Sequence, residues 1–205
     1  MPRSAPNALN KLLEGNRRFV DGTRVHDEFR EDHRNLTSPQ DPVAAVLTCA
    51  DARVPPLELF DLTIGDLFEV RNAGHLARGP SVGSLEFAVI HLGVRLVLVL
   101  AHDDCGAVKA AQAVKAGEAE PQTPAIGCIM ESIVPLLEGP GDTDPSLAAE
   151  TLALAQLERI REVSDPIRRA EETGDVWLLA ALVEHHGGHV RLLTLPPRDP
   201  SPRTP

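Results

Sequence analysis
Short apolar runs with strand character recur along the chain: Val43–Thr48 (VAAVLT), Asp66–Asn72 (DLFEVRN), Leu96–Ala101 (LVLVLA), Val176–Val183 (VWLLAALV) and Val190–Leu195 (VRLLTL). The third is apolar without interruption, the pattern of a strand covered on both faces. Helical spacing separates these runs. Ala8–Asp21 places Leu9, Leu12, Leu13 and Phe19 on one side. Ser81–Leu92, Gly106–Lys115, Ala125–Glu138 and Pro145–Val163 read as further helices, the third shortened or kinked by Pro135. Ser164-Asp165-Pro166 starts another, with proline among its first residues. Alternating strands and helices predict an α/β protein with a mostly parallel central sheet flanked by helices.

One domain is expected over residues 1–195, the first 40 residues forming a helical arm and an irregular polar loop. The arm's narrow apolar face has no obvious partner in a compact sheet domain. Gly139–Asp144 (GPGDTD) is a turn cluster. Residues 196–205 hold five prolines in ten positions and read as a disordered tail.

Composition narrows the function classes. Twenty basic against 30 acidic residues leave a net charge of −10, which argues against a nucleic-acid partner. Aromatics are 3%, with no tyrosine, so a base-stacking platform is not expected either. The longest apolar run, Val176–Val183, is far short of the roughly 18 residues of a membrane span. With no apolar signal core at the N-terminus, the expected compartment is the cytoplasm. Three cysteines, Cys49, Cys105 and Cys128, do not make a disulfide framework. Cys128 has no ligand or base near it in sequence and reads as a small buried hydrophobe.

The other two cysteines follow strands. VAAVLT runs into Cys49-Ala50-Asp51-Ala52-Arg53, and LVLVLA into His102-Asp103-Asp104-Cys105-Gly106. Ligands of open parallel sheets bind beyond the carboxyl ends of the strands. If these two strands are neighbours, Cys49, His102 and Cys105 converge. Two thiolates and a neutral imidazole suit Zn²⁺, one per chain, with a fourth position left for exchange. Such an ion lowers the pKa of bound water to about 7 and supplies hydroxide at neutral pH. Spacing alone also fits two core cysteines and a surface histidine.

The same segments resemble the β-class carbonic anhydrases. Cys49-Ala50-Asp51-Ala52-Arg53-Val54-Pro55-Pro56 is similar to their C-x-D-x-R segment, and His102–Val108 to their second zinc segment. Leu12–Phe19, Gly65–Gly74 and Gly83–Ala88 extend the likeness over about residues 9–115. The resemblance implies zinc ligands at Cys49, His102 and Cys105, and an Asp51–Arg53 dyad in which Arg53 holds the carboxylate off the metal. It places Gln40 against substrate across a dimer interface, Phe68 and Ala73 around an apolar CO₂ pocket, and the Gly106 N–H beside bound substrate. It also implies that the N-terminal arm packs on a neighbouring subunit of a homodimer or homotetramer.

The implied reaction is reversible hydration of CO₂ to bicarbonate by zinc-bound hydroxide. A carbonyl sulfide or carbon disulfide hydrolase and a non-catalytic zinc or redox-sensing protein are the alternatives. Ala52, Ala73 and Phe87 depart from the Ser, Val and Tyr frequent in the family. Val46 stands where some bacterial members carry a Trp of an inhibitory bicarbonate site; with no tyrosine, only Arg71 of that site is matched. His185, His186 and His189 flank Gly187-Gly188 and read as a solvated turn, His75 as a surface histidine, and Asp103 and Asp104 as residues around the ligands.

Overall fold
The computed structural model describes residues 4–26, 39–137 and 144–197. Helix α1 (Ala5–Val20) is followed by β1 (Ala44–Cys49), a single turn α2 (Pro56–Leu59), β2 (Leu67–Asn72), α3 (Gly79–His91) and β3 (Leu96–His102). Then come α4 (Gly106–Lys115), α5 (Pro124–Ile133), a 3₁₀ turn (Val134–Leu136), α6 (Pro145–Val163), α7 (Asp165–Glu172), β4 (Trp177–Val183) and β5 (Val190–Leu192). Most of the Gly139–Asp144 turn, and residues 198–205 of the tail, lie outside the described residues.

The strands form one sheet in the order β2-β1-β3-β4-β5, parallel except for the antiparallel β4–β5 pair. β1, β3 and β4 are buried along their whole length, which is why each is largely apolar; Thr48 of β1 donates its hydroxyl to the Leu100 carbonyl. β2, an edge strand, is only partly buried and keeps Glu69 and Arg71 exposed. After β2 the chain crosses over β1 to lay down β3, so the order of connection reverses between β1 and β3. Open α/β sheets bind ligands at such a switch point.

Local chemistry sets the helix ends. Ser4 caps α1, Thr123 caps α5 and Asp144 caps α6, each side chain accepting a backbone N–H of the first turn. α5 stops at Ile133 and tightens into the 3₁₀ turn at Pro135, which lacks the N–H needed to continue. No helix among the described residues is long and apolar enough to cross a membrane.

The arm differs from the sequence expectation. Its apolar face has a partner in its own chain: Ala8, Leu9 and Leu12 join the hydrophobic core. Asn16, buried, donates through Nδ2 to the carbonyls of Leu59 (3.0 Å) and Gly188 (2.8 Å) and accepts the N–H of Val190 (2.9 Å). Gly15 lets the helix approach the Phe60 carbonyl, with which a Cβ would collide. The wholly buried Asp61 accepts from Arg18 Nε and from the N–H groups of Val25 and His26, fastening the segment after α1.

Candidate metal centre
Cys49 is the last residue of β1 and His102 the last of β3, so their neighbouring carboxyl ends bring them together. Beyond His102 the chain turns through Asp104, whose φ of 53° lies in the left-handed region that aspartate tolerates. That turn makes Cys105 the N-cap of α4, where the N–H groups of Ala107 and Val108 face its sulfur. All three side chains are buried, and their ligand atoms lie within 4.8 Å of one another.

The two sulfurs are 4.0 Å apart and both cysteines are free. The contact with Cys105 lowers the Cys49 thiol to about 3, against the opposing effect of burial; His102 and the N–H groups of Gly74 and Asp51 assist. The same contact, with burial, pushes the Cys105 thiol up. The pair can therefore share one proton across the 4.0 Å contact between its sulfurs. Burial works against a charged His102 ring, but the Cys49 thiolate and the Asp103 carbonyl outweigh it and raise its pKa.

His102 Nδ1 lies 2.7 Å from the Asp103 carbonyl oxygen. A carbonyl only accepts, so Nδ1 carries the hydrogen and Nε2 the lone pair. Nε2 is buried and has no hydrogen-bond partner among the described residues. It lies 4.0 Å from Asp51 Oδ2. This donor set fits zinc. Tetrahedral coordination at Zn–S of about 2.3 Å sets two sulfurs about 3.8 Å apart, close to the 4.0 Å found. The orphaned Nε2 is the third donor, and cysteine and histidine are the ligands zinc favours.

Arg53 grips Asp51 with two prongs, Nε to Oδ1 at 3.0 Å and Nη2 to Oδ2 at 2.8 Å, and the Arg53 N–H also reaches Oδ1 at 2.9 Å. This contact holds the Asp51 carboxyl well below the usual carboxylate range and raises the guanidinium. On its far side the guanidinium meets the Asp104 carboxylate and carbonyl, both at 3.4 Å, and Asp104 is in turn paired with Lys109.

The remaining candidates are placed less closely. Gln40 is exposed on the segment leading into β1. Phe68 is half-buried on β2 and stacks on Phe87, ring centroids 6.2 Å apart. Ala73 is half-buried in the turn after β2, and Gly106 is exposed at the start of α4 with open space where a Cβ would stand.

Two histidine expectations are corrected. His75 is wholly buried, not on the surface, because the Asn72 side chain closes its turn inward by accepting the Leu76 N–H at 2.6 Å. Burial lowers its pKa to about 4. His185 is half-buried and lies against His102, Nε2 to Nδ1 at 3.1 Å, because the turn after β4 folds back over the end of β3. Arg71 was legible only as part of an unmatched inhibitory site. It donates to the carbonyls of Cys49 (3.1 Å) and Asp51 (2.7 Å) and pins the ligand segment. A separate cleft of about 490 Å³ is lined by Arg78, Ser132, Gln156, Arg159 and Glu162 and contains none of the metal donors.

Comparison with known proteins agrees with this geometry. Residues 44–190 match the family model described as carbonic anhydrase. The chain is 48% identical over 115 residues to carbonic anhydrase 2 of Mycobacterium tuberculosis, a stretch covering 55% of this chain and 56% of that protein. The chain thus spans little over half the length of this curated relative. Among solved structures, the Coccomyxa β-carbonic anhydrase in complex with acetazolamide superposes with a TM-score of 0.66 and 25% identity, covering 92% of this chain and 87% of that one. One of two tetrameric β-carbonic anhydrases from Sordaria macrospora shares the fold at a TM-score of 0.67 and 17% identity, covering 94% of this chain and 100% of that one.

Proposed function
This chain belongs to the β-class carbonic anhydrase family, and on that footing we propose that it interconverts CO₂ and bicarbonate at a zinc ion held by Cys49, His102 and Cys105. The observation that carries the proposal is a buried Cys49–His102–Cys105 donor set, with an orphaned imidazole nitrogen, beside a carboxylate that an arginine holds in place. When bound, zinc supplies a Lewis acid that makes water nucleophilic near neutral pH.

The chain's own groups orient the reaction. Asp51, held ionised by Arg53, can only accept a hydrogen bond, so it fixes the orientation of the nucleophile's O–H. The two-pronged grip also keeps the carboxylate from the position it would need to ligate zinc itself. Phe68 and Ala73 are assigned to an apolar CO₂ pocket, and the Gly106 N–H at the start of α4 to a substrate oxygen. Gln40 is assigned to the site of a neighbouring copy in a homo-oligomer, for which its exposure leaves it available. The compartment proposed is the cytoplasm.

Stopped-flow CO₂ hydration, with metal content measured on the same sample, tests this reading. The zinc-loaded protein is expected to hydrate CO₂ and to lose activity to a chelator. Arg53→Ala is expected to retain zinc and lose most of kcat, because the two guanidinium contacts that hold Asp51 away from the metal are gone. Wild-type kcat in a folded, zinc-loaded Arg53→Ala protein would remove the dyad from the mechanism.

A further inference from the structure
The turn between β4 and β5 lies some 80 residues beyond the ligand segments, yet it ends against one of the ligands. Asp103 interlocks the two regions. Its N–H donates to the Val183 carbonyl at 3.2 Å, and its Oδ1 accepts the His185 N–H at 2.8 Å. Its carbonyl meanwhile accepts from His102 Nδ1 at 2.7 Å. Gly187 and Gly188, at φ of 88° and 71°, allow the tight return that sets His185 at this point. The His185 ring then lies with its centroid 4.9 Å from that of His102, tilted by 52°.

We propose that His185 is a positioning residue for the metal centre, accepting at Nε2 from the same His102 Nδ1–H that the Asp103 carbonyl accepts. The proposal rests on the reading of Cys49, His102 and Cys105 as a zinc site. Nδ1 has one hydrogen and two acceptors, at 2.7 and 3.1 Å, which is a three-centre bond. Asp103 accepts through its main chain, one residue beyond the ring it holds. His185 comes from a different strand connection and fixes the ring against the body of the sheet. Two acceptors on Nδ1 keep the lone pair on Nε2, the atom left without a partner. They also draw density toward Nε2 and make it a stronger donor to a metal, as acceptors behind ligating histidines do.

The test is the zinc dissociation constant of the full chain at fixed pH, measured by competition with a chromophoric chelator, beside the visible spectrum of the cobalt-substituted protein. His185→Phe keeps the ring volume and removes the acceptor; its zinc dissociation constant should rise about tenfold, the lower end of such losses, because the Asp103 carbonyl remains. His185→Gln restores an acceptor and should bring the constant back to within about twofold of wild type, with a wild-type cobalt spectrum. A wild-type constant and cobalt spectrum in His185→Phe overturn the proposal. Equal weakening in both variants also overturns it, since only ring packing would then matter. If His185→Phe does not fold, the cobalt spectrum of His185→Gln decides: unchanged it supports the role, shifted it refutes it. Failure of the wild-type chain to bind zinc would instead overturn the metal reading beneath it.

Discussion
Residues 44–115 carry all three metal donors and the Asp51–Arg53 pair, while residues 124–193 carry none of them. The second region nonetheless reaches the first, through the β3–β4 pairing and through single polar side chains. Gln156 of α6, buried, accepts the Ala77 N–H at 2.8 Å, and His185 lies against His102. The regions differ in how their chemistry is written. In the first, ligands sit at strand ends, so spacing along the chain already brings chemistry together. In the second, single polar side chains act across 79 and 83 positions, and nothing local in sequence announces them. A site of this kind is thus specified twice, by a motif that supplies atoms and by a scaffold that aims them.

The largest effect expected from that division is in metal content. Cys105→Ser should reduce bound zinc from about one per chain to nearly none, because hydroxyl oxygen is a poor substitute for thiolate in such a set. Cys128 lies exposed on α5, not buried as its sequence suggests, and Cys128→Ser should leave zinc unchanged. Full zinc in Cys105→Ser, read by elemental analysis, would erase the distinction between the two regions.

A smaller effect separates scaffold from motif. Gln156→Leu keeps much of the side chain's volume but strands the Ala77 N–H, which is buried. Leaving such a donor unmet costs about 2 kcal/mol. The urea midpoint should fall accordingly while zinc stoichiometry holds. Loss of zinc without loss of stability would show that α6 acts on the centre itself and not merely on the turn before α3.

The same contrast explains what was legible beforehand. The apolar runs of β1, β3 and β4 announced buried strands, and the resemblance of the ligand segments announced the family, because both signals are local in sequence. β5 ends at Leu192, three residues sooner than its pattern suggests, because the Thr194 hydroxyl oxygen takes the Ala180 N–H (3.0 Å) in place of a continuing ladder. The arm's partners were hidden because they lie far off in sequence: the core that Ala8, Leu9 and Leu12 join, and the Leu59 and Gly188 carbonyls and Val190 N–H that Asn16 bonds. The glycine pair marked a turn after β4 but not the direction in which it folds, and so His185 read as solvated.

His75 offers the finest test, because it belongs to the motif-bearing region yet, like His185, is less exposed than its sequence context predicts. It follows Gly74 in a turn with φ of 44°, and neither ring nitrogen has a hydrogen-bond partner among the described residues. Burial holds its pKa at about 4, against about 6.5 in an unfolded chain. Above pH 6.5 both states are neutral and the residue contributes nothing to pH dependence. Between about 6.5 and 4 the unfolded chain binds a proton that the native state does not, so stability falls as pH falls. From pH 7.5 to 5 this one group should cost about 2 kcal/mol. His75→Asn removes the titration and keeps a residue that tolerates a left-handed backbone. Urea midpoints at pH 7.5 and 5, with metal loading matched, should show a shallower acid loss in His75→Asn than in wild type. Equal losses would mean that the ring takes up its proton within the fold, and that the turn after β2 opens readily to water.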